Sequence, residues 1–293
     1  MVPARGRMHS LPSNGLTLRY ITSADGTRLA VREAAPAEPI AAAAPPIVLV
    51  HGWAQDAAVW LDQLMDPVLT SRHRVLAVEL RGHGESAVPT DGYRDSATWA
   101  GDIRAVLAEV GTPSVLVGWS FGGLVLTDYV RAFGNADIAG LVLAGALTEI
   151  GRGRPGGRVG AAMRAALPAV LDADPAVAVP ALHALITAMP ASPLPGARLQ
   201  RMLAASLRVR PEVRAALFDR AVDSADVLAE VAVPTLVLHG TEDAVVDPRA
   251  AEYALGKISG ARARWFEGVG HLPFAERVRE FNDALAAFAA DPS

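Results

Sequence analysis

The sequence predicts an α/β protein: a mostly parallel, eight-stranded sheet covered by helices on both faces and carrying a helical cap. Three observations lead there. Short, fully apolar runs of strand length recur along the chain, and helix-like segments separate them. Continuous apolar runs alternating with helices imply strands buried on both faces, as in a parallel sheet. The alternation breaks between Leu147 and Glu230, where helical patches occur without a convincing strand. Finally, 293 residues that are 51% hydrophobic suit one large core better than two equal halves.

Taken in order, residues 1–15 read as a loose tail. Leu16–Ile21 and Thr27–Arg32 are strand-like runs around Asp25-Gly26, a common hairpin pair. Ala34–Pro46 reads as a loop, because Pro36, Pro39, Pro45 and Pro46 forbid a long helix. Further strands are predicted at Ile47–Val50, Val75–Glu79, Val115–Val117, Leu141–Ala144 and Thr235–His239, with a weaker one at Arg262–Glu267. Helices are predicted at Ala57–Leu69, Ser96–Val110, Phe121–Phe133, Arg249–Ile258 and Phe274–Ala290. Within the insertion, helical patches cover Val159–Val170, Ala178–Met189, Ala197–Val209 and Glu212–Val222, punctuated by prolines. The expected organisation is a core of residues 16–147 and 231–293 with residues 148–230 as a cap. Inserted between two sheet strands, that cap would lie over their carboxyl ends, where ligands bind in open α/β sheets.

Composition excludes several classes. The net charge of −4 is evenly spread, without the clustered positive charge of a nucleic-acid binder. The absence of cysteine removes disulfides, thiolate zinc sites, Fe–S clusters and a Cys nucleophile. The N-terminus lacks the apolar core of a signal peptide, and no stretch approaches a membrane span, so a soluble, cytoplasmic protein is expected. His9, His51, His73, His83, His183, His239 and His271 are scattered, and Gly82-x-Gly84 lacks the third glycine of a dinucleotide fingerprint. No metal or cofactor is expected.

Gly118-Trp119-Ser120-Phe121-Gly122-Gly123 is the most informative run. A Ser between glycines is by itself only a turn. Here G-x-S-x-G follows an apolar strand and opens a helix, the context in which the pattern presents a nucleophile. The strand-to-helix turn is tight enough that side chains at positions 118 and 122 would collide. Ser120 is then pushed out at a helix N-terminus, whose dipole favours developing negative charge.

With these residues the chain resembles the α/β-hydrolase superfamily, Gly118–Gly123 matching its nucleophile elbow. The order nucleophile, acid, histidine directs the search downstream. His271, in Gly268-Val269-Gly270-His271, lies on a loop after the last strand and would take the proton of Ser120. Asp243 follows the Thr235–His239 strand in a G-x-x-D spacing that resembles the family's acid loop; Glu242, Asp247 and Glu149 are its competitors. His51-Gly52-Trp53 resembles the family's H-G-x, which implies an oxyanion hole of the Trp53 and Phe121 N–H groups. Arg81-Gly82-His83-Gly84-Glu85-Ser86 resembles a further family loop and reads as structural.

Small serine carboxylesterases carry the nearest pattern, including non-haem haloperoxidase-like esterases and pimeloyl-carrier-protein methyl ester esterases. The resemblance implies a Ser120-His271-Asp243 serine hydrolase acting on a small apolar ester or lactone. Its pocket is expected among Trp53, Trp119, Phe121, Leu147, Leu272, Met189 and Met202. Arg198 and Arg201 read as a solvated helix face rather than a site for a charged substrate. Carbon–carbon bond hydrolysis, perhydrolysis and cyanohydrin cleavage use the same triad and stay open, as does a ligand receptor that retains it. The oligomeric state stays open as well.

Overall fold

The computed structural model describes residues 15–36 and 44–291. The predicted tail, apart from Gly15, and most of the proline-rich loop lie outside the described residues. The chain opens with a hairpin of β1 (Leu16–Thr22) and β2 (Arg28–Ala34), followed by β3 (Ile47–Val50), α1 (Leu61–Leu64), α2 (Pro67–Thr70) and β4 (Val75–Val78). Next come α3 (Ser96–Val110), β5 (Ser114–Trp119), α4 (Phe121–Phe133) and β6 (Ile138–Ala144). Five helices then follow without a named strand: α5 (Ala161–Val170), α6 (Pro175–Ala188), α7 (Gly196–Arg208), α8 (Pro211–Phe218) and α9 (Ala225–Ala229). The chain closes with β7 (Thr235–Gly240), α10 (Pro248–Lys257), β8 (Arg262–Phe266), α11 (Pro273–Glu276) and α12 (Val278–Ala290).

One eight-stranded sheet has the order β1-β2-β4-β3-β5-β6-β7-β8. β2 pairs antiparallel with β1 and with β4, and every other pairing is parallel. Helices α3, α4, α9 and α10 line one face, and α1, α2, α11 and α12 the other. Strands β3, β4 and β5 are buried along their whole length, which explains why they read as unbroken apolar runs. The parallel pairing brings the carboxyl ends of β3, β5, β6, β7 and β8 to one edge, and the loops that carry the candidate site residues leave from there. No described helix is long and apolar enough to cross a membrane.

Two predicted helices are divided and a third is shortened. Ala57–Leu69 is a 3-10 turn (Ala57–Trp60) followed by α1 and α2, because Asp66 caps a new start from its side chain and Pro67 supplies no N–H to the preceding turn. Phe274–Ala290 is interrupted at Arg277, between α11 and α12. Glu212–Val222 ends as helix at Phe218, and Val222 instead forms an isolated antiparallel bridge with Ile150. The short helix α9 has no counterpart in the sequence reading.

The helices of residues 148–230 share a buried cation. The Arg214 guanidinium donates to the carbonyls of Val170 at 3.2 Å, Val209 at 2.9 Å and Ser206 at 3.4 Å. These carbonyls lie at the C-terminal ends of α5 and α7, where helix dipoles are negative, so Arg214 joins two helix ends without a carboxylate. Burial pulls its pKa below the ordinary value. Replacing Arg214 with Met strands three buried carbonyls, and a loss of about 3 kcal/mol is expected. Calorimetric melting checks this, and a melting temperature within a degree of wild type would refute the role.

Candidate active site

β5 ends at Trp119 and α4 begins at Phe121, so Ser120 alone makes the turn between them, at φ 55° and ψ −121°. Ser120 and Ala54 are the only non-glycine residues at positive φ among the described residues. Such a backbone costs roughly 1–3 kcal/mol and persists only where its surroundings hold it. Here the Ser120 N–H donates to Ala144 O at 3.1 Å, and Ser120 O accepts from Gly123 N at 3.0 Å and Leu147 N at 3.1 Å. The glycines permit the approach: a Cβ on Gly122 would stand 2.4 Å from Val50 O, and one on Gly118 would stand 2.7 Å from Gly123 N. The sequence reading of these collisions is therefore met in the structure.

The loop after β8 brings His271 to Asp243, which follows β7, and their Nδ1–Oδ2 distance is 2.8 Å. The carboxylate holds the proton on Nδ1 and leaves a lone pair on Nε2. The other oxygen, Asp243 Oδ1, accepts from Val245 N at 2.8 Å and Val246 N at 2.9 Å. Burial opposes ionisation of Asp243, but the charge and hydrogen bonds of His271 and His239 outweigh it and hold the carboxyl below its usual range. The residue preceding Ser120 supports His271, since Trp119 Nε1 donates to His271 O at 3.0 Å and the two rings lie 5.2 Å apart. His271 N in turn donates to Met189 O at 2.7 Å.

The competing acids are elsewhere. Glu242 is exposed, and Asp247 caps α10 while pairing with Arg249 and Arg158. Glu149 is buried among the N–H groups of Gly156 and Ser224 and the hydroxyl of Tyr253.

The loop after β3 carries His51-Gly52-Trp53. Gly52 packs against Ser120, for a Cβ there would stand 2.9 Å from Ser120 Cβ. The Trp53 indole is buried against the insertion, donating to Arg214 O at 3.0 Å and meeting the Phe218 ring edge-on at 5.5 Å. Phe121 begins α4, so its N–H is one of the first-turn donors that a helix leaves without an intrahelical partner. The Phe121 ring packs edge-on against Trp99 in the core. Gln55 ties the same loop to α7, donating to Met202 O at 3.2 Å and Ser206 Oγ at 2.9 Å, while Ser206 Oγ donates to Ala54 O at 2.9 Å.

Of the residues expected to line a pocket, Leu272 and Met202 border a small cleft together with Val59, Phe274 and Arg201. Leu147, Met189 and Trp119 are buried and act through the contacts already described. Arg198 pairs with Asp62 at the cleft rim, and Arg201 is exposed. Among the described residues no cluster of three or more His, Asp or Glu side chains is disposed to hold a metal ion.

Two groups escaped the sequence reading. His239, the penultimate residue of β7, places Nε2 3.3 Å from Asp243 Oδ2 and 3.1 Å from Val246 O. Both are acceptors, so Nε2 carries the proton, and the acid of the pair is held by two imidazoles. Its position four residues before Asp243 was the only available signal. The second is Glu276, five residues after His271, which bonds to the backbone of the histidine loop. The Arg81 loop is structural as read: Arg81 forms a paired contact with Asp102 at 2.6 and 2.7 Å and reaches Asp25 at 2.8 Å.

A Ser at a strained strand-to-helix turn, followed in the chain by an Asp and a His on later loops of a mostly parallel sheet, defines the α/β-hydrolase class. This chain belongs to the alpha/beta hydrolase family, whose model matches residues 47–284. It is similar to the crystal structure of the esterase RhEst1 from Rhodococcus sp. ECU1013, with 43% identity and a TM-score of 0.88, covering 94% of this chain and 99% of that one. It is 27% identical over 285 residues to a non-heme haloperoxidase of Rhodococcus erythropolis, covering 92% of this chain and 98% of the relative. A pimeloyl-(acyl-carrier protein) methyl ester esterase of Neisseria meningitidis is 28% identical over 256 residues, covering 80% of this chain and 73% of the relative. The family resemblance read from the motifs is thereby established.

Buried histidines beside the site set a pH dependence. His51 Nδ1–H donates to Gly52 O at 2.8 Å and Nε2 accepts from Leu80 N at 3.0 Å, so a second proton would break the Leu80 bond. Burial lowers its pKa from 6.5 to about 4. Burial, reinforced by His51, lowers that of His83 to about 3. Between these values and 6.5 the unfolded chain binds protons that the folded chain refuses, so stability falls as pH drops from about 6.5 toward 4. His51 alone contributes about 3 kcal/mol to that loss. Unfolding free energies measured across this range should show a slope smaller by about one proton in His51→Gln; an unchanged slope contradicts the assignment.

Proposed function

We propose that the protein is a serine hydrolase that cleaves a carboxylic ester or lactone through an acyl-enzyme. The observation that carries this reading is the Asp243–His271 hydrogen bond of 2.8 Å, on a histidine loop bonded to the Trp119 side chain, the residue before a Ser120 held at φ 55°. The Ser120 hydroxyl attacks the substrate carbonyl while His271 Nε2 takes its proton. Asp243 keeps the imidazole in the required tautomer and stabilises its charged form. Negative charge on the tetrahedral oxygen is met by the N–H groups of Trp53 and Phe121, the latter at a helix N-terminus. The imidazolium then gives its proton to the leaving alkoxide. Water, deprotonated by the same imidazole, attacks the acyl group and regenerates Ser120. Residues 148–230 act as a cap that limits water access and supplies Met189 and Met202 to an apolar pocket with Trp53, Trp119, Leu147 and Leu272. The substrate is a small, largely apolar molecule.

The esterases among the similar proteins support this reading. The similarity to a non-heme haloperoxidase favours a second activity at the same site, in which hydrogen peroxide replaces water and the product is a peracid.

Hydrolysis of short- and long-chain p-nitrophenyl esters and of simple lactones tests the proposal, with peracid formation as a parallel assay. Ser120→Ala is expected to lower kcat by roughly 10⁴ or more, with an unchanged circular dichroism spectrum. Retention of most activity rejects Ser120 as nucleophile. Asp243→Asn should cost several orders of magnitude in kcat through the misplaced imidazole proton, and a near-wild-type rate would remove Asp243 from the mechanism.

A further inference from the structure

The backbone N–H and carbonyl of His271 are bonded outside its own loop, and the N–H groups on either side of it are bonded to Glu276. The His271 N–H donates to Met189 O at 2.7 Å, and its carbonyl accepts from Trp119 Nε1 at 3.0 Å. On either side, Gly270 N donates to Glu276 Oε1 at 3.0 Å and Oε2 at 3.2 Å, and Leu272 N donates to Oε1 at 3.2 Å. The same carboxylate reaches across to the insertion, where Oε2 accepts from Ala191 N at 2.8 Å and Ser192 N at 3.4 Å. The two segments are in close contact: a Cβ on Gly270 would stand 2.4 Å from Met189 O and 2.5 Å from Ala191 N.

Four N–H groups from two distant stretches of chain therefore converge on one carboxylate. Only an acceptor with two bare oxygens satisfies such a set; an amide would turn its own N–H bonds toward the donors. Oxygens shared between the histidine loop and residues 191–192 make Glu276 the joint between them. Met189 O adds a second bond to the base residue itself.

We propose that Glu276 is a positioning residue, and that through it the segment Met189–Ser192 of the insertion holds the His271 imidazole in register with Ser120. The insertion then does more than cover the site: it sets the place of the base. This inference rests on the reading of His271 as the proton acceptor. An error of about 1 Å in the position of such a group costs roughly a hundredfold in rate, so the effect of loosening the joint should appear in kcat rather than in binding.

The test uses the full-length protein and Glu276→Gln, which preserves shape and replaces an acceptor by a donor. With p-nitrophenyl esters, kcat is expected to fall roughly ten- to a hundredfold while KM stays within about twofold. Hydrogen exchange followed by mass spectrometry should show faster exchange in both peptides, one spanning 189–192 and one spanning 270–272. Gly270→Ala, which pushes the two segments apart and leaves the carboxylate in place, should give the same kcat-selective loss and serves alone if Glu276→Gln does not fold. Wild-type kcat in both variants, or exchange released in only one segment, overturns the proposal. Ser120→Ala and His271→Ala run beside them separate the two ideas. If those controls lose activity while the Glu276 and Gly270 variants keep it, only the joint is wrong. If the controls stay active, the serine-hydrolase reading itself has failed.

Discussion

The backbone at Ser120 is the constraint from which the rest of the site follows. A single residue turns the chain from the end of β5 into α4, at a positive φ that a serine adopts at a cost. That turn brings α4 so near to β3 that no side chain fits at position 122, and it lets Gly52 of the next loop rest against the Ser120 side chain. The strain is held by the carbonyl of Ala144 and by the N–H groups of Gly123 and Leu147, groups that belong to β6, α4 and the loop after β6. Ser120 is thus held from the sheet, the helix it opens and the loop after β6 at once.

Around this point, four buried histidines are given separate roles by the hydrogen bonds they make. His51 and His83 face backbone carbonyls through Nδ1, and their burial keeps them neutral. His239 turns its Nε2–H toward Val246 O and Asp243. His271 is turned the other way, with Nδ1 on the carboxylate, so that Nε2 keeps its lone pair. The residue type is common to all four, and the acceptor each one meets decides which of them can serve as a base.

The insertion is bonded to both flanks of the site rather than laid over it. On one side Gln55 and Trp53 of the β3 loop bond to Met202, Ser206 and Arg214; on the other, Met189 and residues 191–192 meet the histidine loop. Its own helices are gathered by Arg214, whose charge is balanced by carbonyls at helix ends. The β3 loop and the histidine loop thereby become parts of one bonded frame.

The sheet and the tight turn at Ser120 were legible in the sequence because they depend on local chemistry. Apolar runs reveal strands buried on both faces, and Gly118-x-Ser120-x-Gly122 reveals a turn that only glycine allows. The boundaries of α3 and α4 were read as Ser96–Val110 and Phe121–Phe133 and are found there. Caps such as Asp66-Pro67 were present in the sequence but were overridden by the longer apolar pattern around them, so one helix was read where two stand. What only the tertiary structure decided are the pairings between distant segments. Glu149, Glu242 and Asp247 are carboxylates like Asp243, which the sequence set apart only by its G-x-x-D spacing; the bond to His271 distinguishes it in the structure. Likewise Glu276, His239 and Arg214 read as ordinary polar residues. Their meaning comes from partners up to scores of positions away, brought to them by the parallel sheet and the folded insertion, and no linear pattern records which side chain will meet which carbonyl.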